Sequence, residues 1–116
     1  VLFGCGGDRD TGKRAEMGRI ANTDADRIFI TDDNPRTEDA ASIRAAIISA
    51  CPNAIEIASR DKAIAAALSS VGSGDVLLIA GKGHETVQLV GNESLPFDDA
   101  AIASHLIMQM QREAVQ

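Results

Sequence analysis

The chain has 116 residues, with 17 acidic against 11 basic, a formal net charge of -6 and a pI near 4.7. One compact domain fits this length, and a hydrophobic content of 45% supports a core, which excludes two full domains and a disordered chain. The acidic balance and an aromatic content of three Phe residues exclude a phosphate-backbone binder and a base-stacking platform, so no nucleic-acid partner is expected.

In chain order, Val1–Cys5 reads as a buried strand closed by Gly6-Gly7. Thr11 is the expected cap of a helix running to about Asn22, with Met17, Ile20 and Ala21 on its inner face. Arg27–Thr31 is a second strand, and Asp39–Ala50 a second helix with Ile43, Ala46, Ile47 and Ala50 at helical spacing. Pro52-Asn53 breaks that helix, and Ile55–Ala58 is a third strand. Ser59 is placed to cap a third helix whose Ile64, Ala67, Leu68 and Val71 face inward, with Gly72 at its C-terminal end. Asp75–Ala80 is a fourth strand, apolar after its first residue. Thr86–Val90 and Ser94–Phe97 flank Gly91-Asn92 as a hairpin or irregular pair. Asp98 caps a last helix to about Glu113, with Ile102, Leu106 and Met110 on one stripe, and Asp98 and Asp99 complement its positive end.

This alternation predicts an α/β fold: a Rossmann-like three-layer domain with a mostly parallel sheet and helices on both faces. Nineteen Ala and twelve Ile suit tight helix-on-sheet layers. No segment approaches the roughly 20 apolar residues of a membrane span, and the start lacks the basic and long apolar regions of a signal peptide. Cys5 and Cys51 have no Cys-x-x-Cys spacing, so a reducing, cytosolic setting is expected rather than a disulfide or zinc framework.

Ligands of open parallel sheets bind beyond the carboxyl ends of the strands. Three loops should therefore share one edge: Gly6-Gly7-Asp8-Arg9-Asp10, Asp32-Asp33-Asn34-Pro35-Arg36 and Gly81-Lys82-Gly83-His84-Glu85. In the first, Gly7-x-x-x-x-Gly12-Lys13 imitates a P-loop, but Arg14 stands where the Mg²⁺-binding hydroxyl belongs. Gly4-x-Gly6 is likewise followed by Arg9 where a dinucleotide fingerprint needs glycine. A tight strand-to-helix turn is the plain alternative, and an Asp there could accept from ribose hydroxyls. In the second loop, Pro35 stiffens the chain, and the reading lies between a polar turn and a pocket for a zwitterion. In that pocket Arg36 would grip a carboxylate, Asp33 an ammonium group, and Asn34 either. In the third, Glu85 is the better candidate for an amine, while His84 has no further metal ligands nearby in sequence. Lys13 and Lys82 could meet phosphates, with solvated surface lysines as the alternative. Arg9 and Arg36 with Asp33 and Glu85 match a ligand carrying two carboxylates and two amines.

Taken together, Gly6-Gly7-Asp8-Arg9-Asp10-x-x-Lys13-Arg14, Asp33-Asn34-Pro35-Arg36, Gly81-Lys82-Gly83-His84-Glu85 and Pro96-Phe97-Asp98-Asp99 resemble the C-terminal domain of the Mur ligases over essentially the whole chain. Within that family they look like the ligases that add the third peptide residue to UDP-N-acetylmuramoyl-L-alanyl-D-glutamate. The Asp-Asn-Pro-Arg motif resembles the form that selects meso-diaminopimelate, whereas lysine-adding relatives lack the Arg. The physics agrees, because a site built to pair an extra carboxylate rejects an analogue without it.

The resemblance implies that ATP phosphorylates the D-glutamate side chain and that a diaminopimelate amine attacks the acyl phosphate. It assigns Arg9, Asp33, Asn34, Arg36, Gly81 and Glu85 to diaminopimelate, Asp8 to the nucleotide ribose and Lys13 to phosphates, with no covalent catalyst. It further implies a cytoplasmic bacterial monomer and the cofactors ATP and Mg²⁺, bound mainly by a central domain that this sequence does not contain. Residues 1–116 are expected to be most of the C-terminal domain of a three-domain enzyme, a fragment inactive by itself. The alternatives are a standalone module for a zwitterionic metabolite, a structural or regulatory Rossmann-like domain, and the domain of a lysine-adding ligase.

Overall fold

The computed structural model of the protein describes residues 1–115. Its elements are β1 (Leu2–Phe3), α1 (Gly12–Asp24), β2 (Phe29–Ile30), α2 (Ala40–Ile48), β3 (Ile55–Glu56), α3 (Arg60–Ser70), β4 (Val87–Val90), β5 (Glu93–Pro96) and α4 (Asp99–Ala114). β1, β2 and β3 form a parallel sheet in that order, with Leu2 opposite Phe29 and Phe29 opposite Ile55. The expected fourth strand runs along the free side of β1. Leu2 N–H donates to Leu78 O (2.9 Å) and Ala80 N–H to Leu2 O (2.9 Å), a single parallel bridge rather than a ladder.

Successive strand residues point to opposite faces, and that alternation builds two cores. Phe3 and Ile30 join Ala21, Ile43 and Ile47 under α1 and α2. Leu2 and Phe29 join Ala63, Ile64, Ala67 and Leu68 under α3, with Ile102 and Leu106 of α4 packed on the rim. Burying each such large aliphatic side chain contributes about 1.5–3 kcal/mol. The three-layer α/β architecture is as the alternation of apolar runs predicts.

Local details depart from expectation. Thr11 does not cap α1: its backbone is already helical, so its hydroxyl cannot face the first-turn amides, and Asp10 Oδ1 accepts from Gly12 N–H instead (2.9 Å). Ser59 has the extended backbone of a cap but donates its hydroxyl to the Asp61 carboxylate, which leaves it no part in capping α3. Asp98 caps α4 as expected, accepting from Ala101 N–H (3.2 Å). Ile20 is 52% exposed, because the inner face of α1 is narrower than read and runs through Arg14, Gly18 and Ala21. Met110 is exposed, since α4 leaves the sheet after Leu106. Val76 (90% exposed) and Leu78 (61%) show that the 75–80 segment is an edge, not an interior strand.

Candidate substrate pocket

The parallel strands deliver their C-terminal ends to one edge, and the three charged loops meet there. Gly7 N–H donates to Asn34 O (2.7 Å), joining the first loop to the second. Gly7 is required at that junction, since a Cβ on it would lie 1.8 Å from Pro35 O. Asp8, in the left-handed region at φ +55°, accepts from the Thr37 hydroxyl (2.7 Å) and the Thr37 amide (3.3 Å). Glu38 Oε1 accepts from Asp8 N–H (2.7 Å) and from Arg14 Nη2 (2.9 Å). Arg14 is buried in this pair, so the P-loop imitation in the sequence is a structural clasp.

Asn34 is the knot between the second and third loops. Its Oδ1 accepts from Leu89 N–H (2.9 Å) and Lys82 Nζ (3.3 Å), which turns its Nδ2 towards Glu85 Oε2 (3.3 Å). The expectation that Asn34 could serve either ligand charge is corrected here: its acceptor is already filled, and the amide spans the two loops. The β4–β5 hairpin braces the same loop. Arg36 N–H donates to Leu89 O (3.1 Å), Gly91 N–H to Arg36 O (2.6 Å), and Gln88 Nε2 to Asp33 O (2.6 Å). Arg36 Nη1 donates to Gly7 O (2.9 Å), with φ +53° at its backbone.

A cleft of about 400 Å³ opens between the loops, lined by Gly4, Cys5, Gly6, Arg9, Asp10, Lys13, Met17, Asp33 and Gly81. Four of the sequence candidates, Arg9, Lys13, Asp33 and Gly81, thus share one wall, with Gly81 at φ +107° letting the backbone fold close to Asp33. Asn34 and Glu85 join them through their mutual bond, and Arg36 through Gly7. Asp8 turns away to Thr37 on the outside of the same edge. His84 is exposed. Burial pushes the Cys5 thiol above its ordinary value, and its Sγ donates to Met17 Sδ (3.6 Å), the setting of an inert thiol.

Asp33 has the most unusual electrostatics. Burial raises its carboxyl above the ordinary range. Arg60 and then Lys82 pull it back, while Glu85 and Asp99 push it further up. Its Oδ1 is buried and carries no hydrogen bond among the described residues. A buried acceptor left without a partner, in a residue that also lines the cleft, marks Asp33 as a group kept for something other than stability.

Arg60 escaped sequence reasoning, and Lys82 and Asp99 take places other than those expected of them. Lys82 is 2% exposed, not a solvated lysine. Arg60 donates to both Asp99 oxygens (2.8 and 2.7 Å), to Asp32 O (3.1 Å) and to Ala80 O (3.2 Å), tying the base of the second loop to that of the third. A lysine between two glycines at the end of the most apolar segment was the available signal for Lys82. An arginine at the first position of α3, just ahead of its buried Ala-Ile-Ala face, was the signal for Arg60.

The fold and site define a class: a three-layer α/β domain that gathers both signs of charge in one cleft beyond its strand ends. The chain belongs to the Mur ligase family: residues 1–83 match the family model described as Mur ligase, glutamate ligase domain. It is 56% identical over 111 residues to a UDP-N-acetylmuramoyl-L-alanyl-D-glutamate--2,6-diaminopimelate ligase of Bradyrhizobium diazoefficiens, covering 91% of this chain and 23% of that protein. A protein of the same name from Zymomonas mobilis is 50% identical over 112 residues, covering 93% of this chain and 23% of the relative. A solved structure of a ligase of that name superimposes with a TM-score of 0.89 at 38% identity, over 95% of this chain and 23% of that one. The chain thus spans about a quarter of the length of these relatives.

Proposed function

We propose that this chain is the amino-acid-recognising, C-terminal part of an ATP-dependent ligase that adds meso-diaminopimelate to UDP-N-acetylmuramoyl-L-alanyl-D-glutamate in peptidoglycan precursor synthesis. The observation that carries the reading is that the Asp33 carboxylate, whose buried Oδ1 has no hydrogen-bond partner among the described residues, belongs to the lining of the cleft that Arg9 also lines. That arrangement takes an ammonium group and a carboxylate side by side, as one end of a diamino diacid presents them. Glu85 and Arg36 supply the second pair, with Gly81 shaping the wall. The names of the relatives, at 50–57% identity, support this substrate over lysine or an unrelated zwitterion.

In this reading the domain contributes position and charge, holding the attacking amine in line while the distal carboxylate is clamped. ATP supplies activation of the acceptor carboxyl when bound. The residues present do not build an ATP or Mg²⁺ site by themselves. Asp8 is committed to Thr37, Arg14 to Glu38, and no group of three carboxylate, His or Cys side chains gathers among the described residues. Nucleotide and metal are therefore assigned mainly to the rest of a full-length ligase, with Lys13 and Asp8 at most reaching its phosphate and ribose. A bacterial cytoplasmic setting and a monomeric enzyme belong to the same proposal.

The test is selectivity in the full-length ligase. Arg36→Ala should weaken diaminopimelate binding by more than about 2 kcal/mol in calorimetry, because it breaks a charge-assisted pair in a closed site, and should leave the weak use of lysine unchanged. Equal losses for both amino acids would refute the assignment of Arg36 to the distal carboxylate.

A further inference from the structure

Resting on that reading of the pocket, the geometry points to Lys82 as a positioning residue. Its buried ammonium group fixes the orientation of the Asn34 carboxamide and supplies the charge, without a hydrogen bond, that keeps the cleft-lining Asp33 anionic for a substrate amine.

The donors of Lys82 are spent elsewhere. Nζ bonds Asn34 Oδ1 (3.3 Å) and the carbonyl of Val87, while Asp33 Oδ1 lies 3.9 Å away, inside ion-pair range but beyond a hydrogen bond. Asp33 Oδ1 therefore feels the positive charge without a hydrogen bond, and the 12% of the Asp33 side chain that is exposed is not covered by Lys82, whose own side chain is fully buried. Burial of Nζ prevents water from screening the pair.

Other charges near Asp33 do not replace Lys82. Arg60, from α3, acts on Asp33 most strongly, yet its guanidinium is paired bidentately with Asp99 of α4, whose charge acts on Asp33 in the opposite sense. Glu85, from the same loop as Lys82, also opposes ionisation. From the β1 and α1 side the cleft presents Cys5, a thiol raised by burial, and Arg9, Asp10 and Lys13, all three solvent-exposed and screened. Lys82 is the cation near Asp33 that is both buried and free of a carboxylate of its own.

The experiment uses the full-length ligase, with kcat/KM for diaminopimelate followed against pH. Lys82→Gln retains a donor for Asn34 and Val87 but carries no charge; Lys82→Arg retains the charge. In Lys82→Gln the acid limb of the profile should move up by at least about one pH unit, an approximately tenfold additional loss at the acid end, with the KM for ATP within about twofold of wild type. Lys82→Arg should keep the limb where the wild type has it, even if the larger head group lowers kcat. Should Lys82→Gln fail to fold, Lys82→Met takes its place in an Asp33→Asn background. There the Lys82 substitution should add no pH dependence beyond that of Asp33→Asn alone. A uniform loss at all pH values with an unmoved limb would overturn the proposal, as would added pH dependence in the double variant. A wild-type enzyme indifferent to diaminopimelate would instead overturn the substrate assignment, independently of any Lys82 variant.

Discussion

Glu38 shows how a single half-buried carboxylate organises the first loop from outside the cleft. It accepts from Arg14 Nη2 and from Asp8 N–H, so the first loop is moored to the residue following Thr37. The hydrogen bond from Arg14, aided by that from Asp8, holds the Glu38 carboxyl below its ordinary range. A depressed folded value means that the stabilisation is present above the unfolded value and is lost as pH falls through the folded one. Glu38→Gln should therefore lower the urea midpoint of the chain at neutral pH, and the difference from wild type should shrink as pH falls through the lowered value of the native carboxyl. Asp33 runs in the opposite sense. Its raised value marks a cost at neutral pH that is relieved on acidification, as expected of a group kept for binding.

Among the elements, α3 and α4 are joined to the loops by one buried ion pair. Arg60 and Asp99 are both buried, and the guanidinium also caps the carbonyls of Asp32 and Ala80. Removing one partner leaves the other charge uncompensated. Asp99→Ala should cost about 3–5 kcal/mol in chemical denaturation, and Arg60→Met combined with Asp99→Leu should cost clearly less than Asp99→Ala alone. The order and type of the helices, and the parallel strands before the three loops, were legible because each rests on local periodicity. The edge position of residues 75–80 was not, since an apolar run reports a preference for burial and not which neighbours exist. Thr11 was misread for a related reason: its residue type suits a cap, but the turn at Asp10 places the chain in helical geometry one residue early. The gathering of Arg9, Asp33 and Gly81 was foreseeable from the strand-end rule. The Asn34–Lys82 bond spans 48 residues and leaves no local mark.

At the scale of the whole molecule, the net charge of -6 conceals a site in which cations and anions alternate within a few ångströms. The chain carries the candidate cleft, and no group of three metal-ligating side chains gathers among its described residues. The 116-residue chain alone should release no ADP in a diaminopimelate-dependent assay, while the full-length ligase should. Turnover by the isolated chain would show that activation chemistry resides in these residues after all.

The hairpin gives the pocket a mechanical character. Arg36 has both backbone groups committed to β4 and the Gly91 turn, in a conformation that side-chain-bearing residues seldom adopt. Strand pairing thus fixes where the side chain starts, and the bond from Nη1 to Gly7 O fixes where it ends. The exposed two-residue turn at Gly91-Asn92 works as a lever arm whose short end is the Arg36 backbone. Reshaping that turn should therefore shift Arg36 from the molecular surface without altering any residue that lines the cleft.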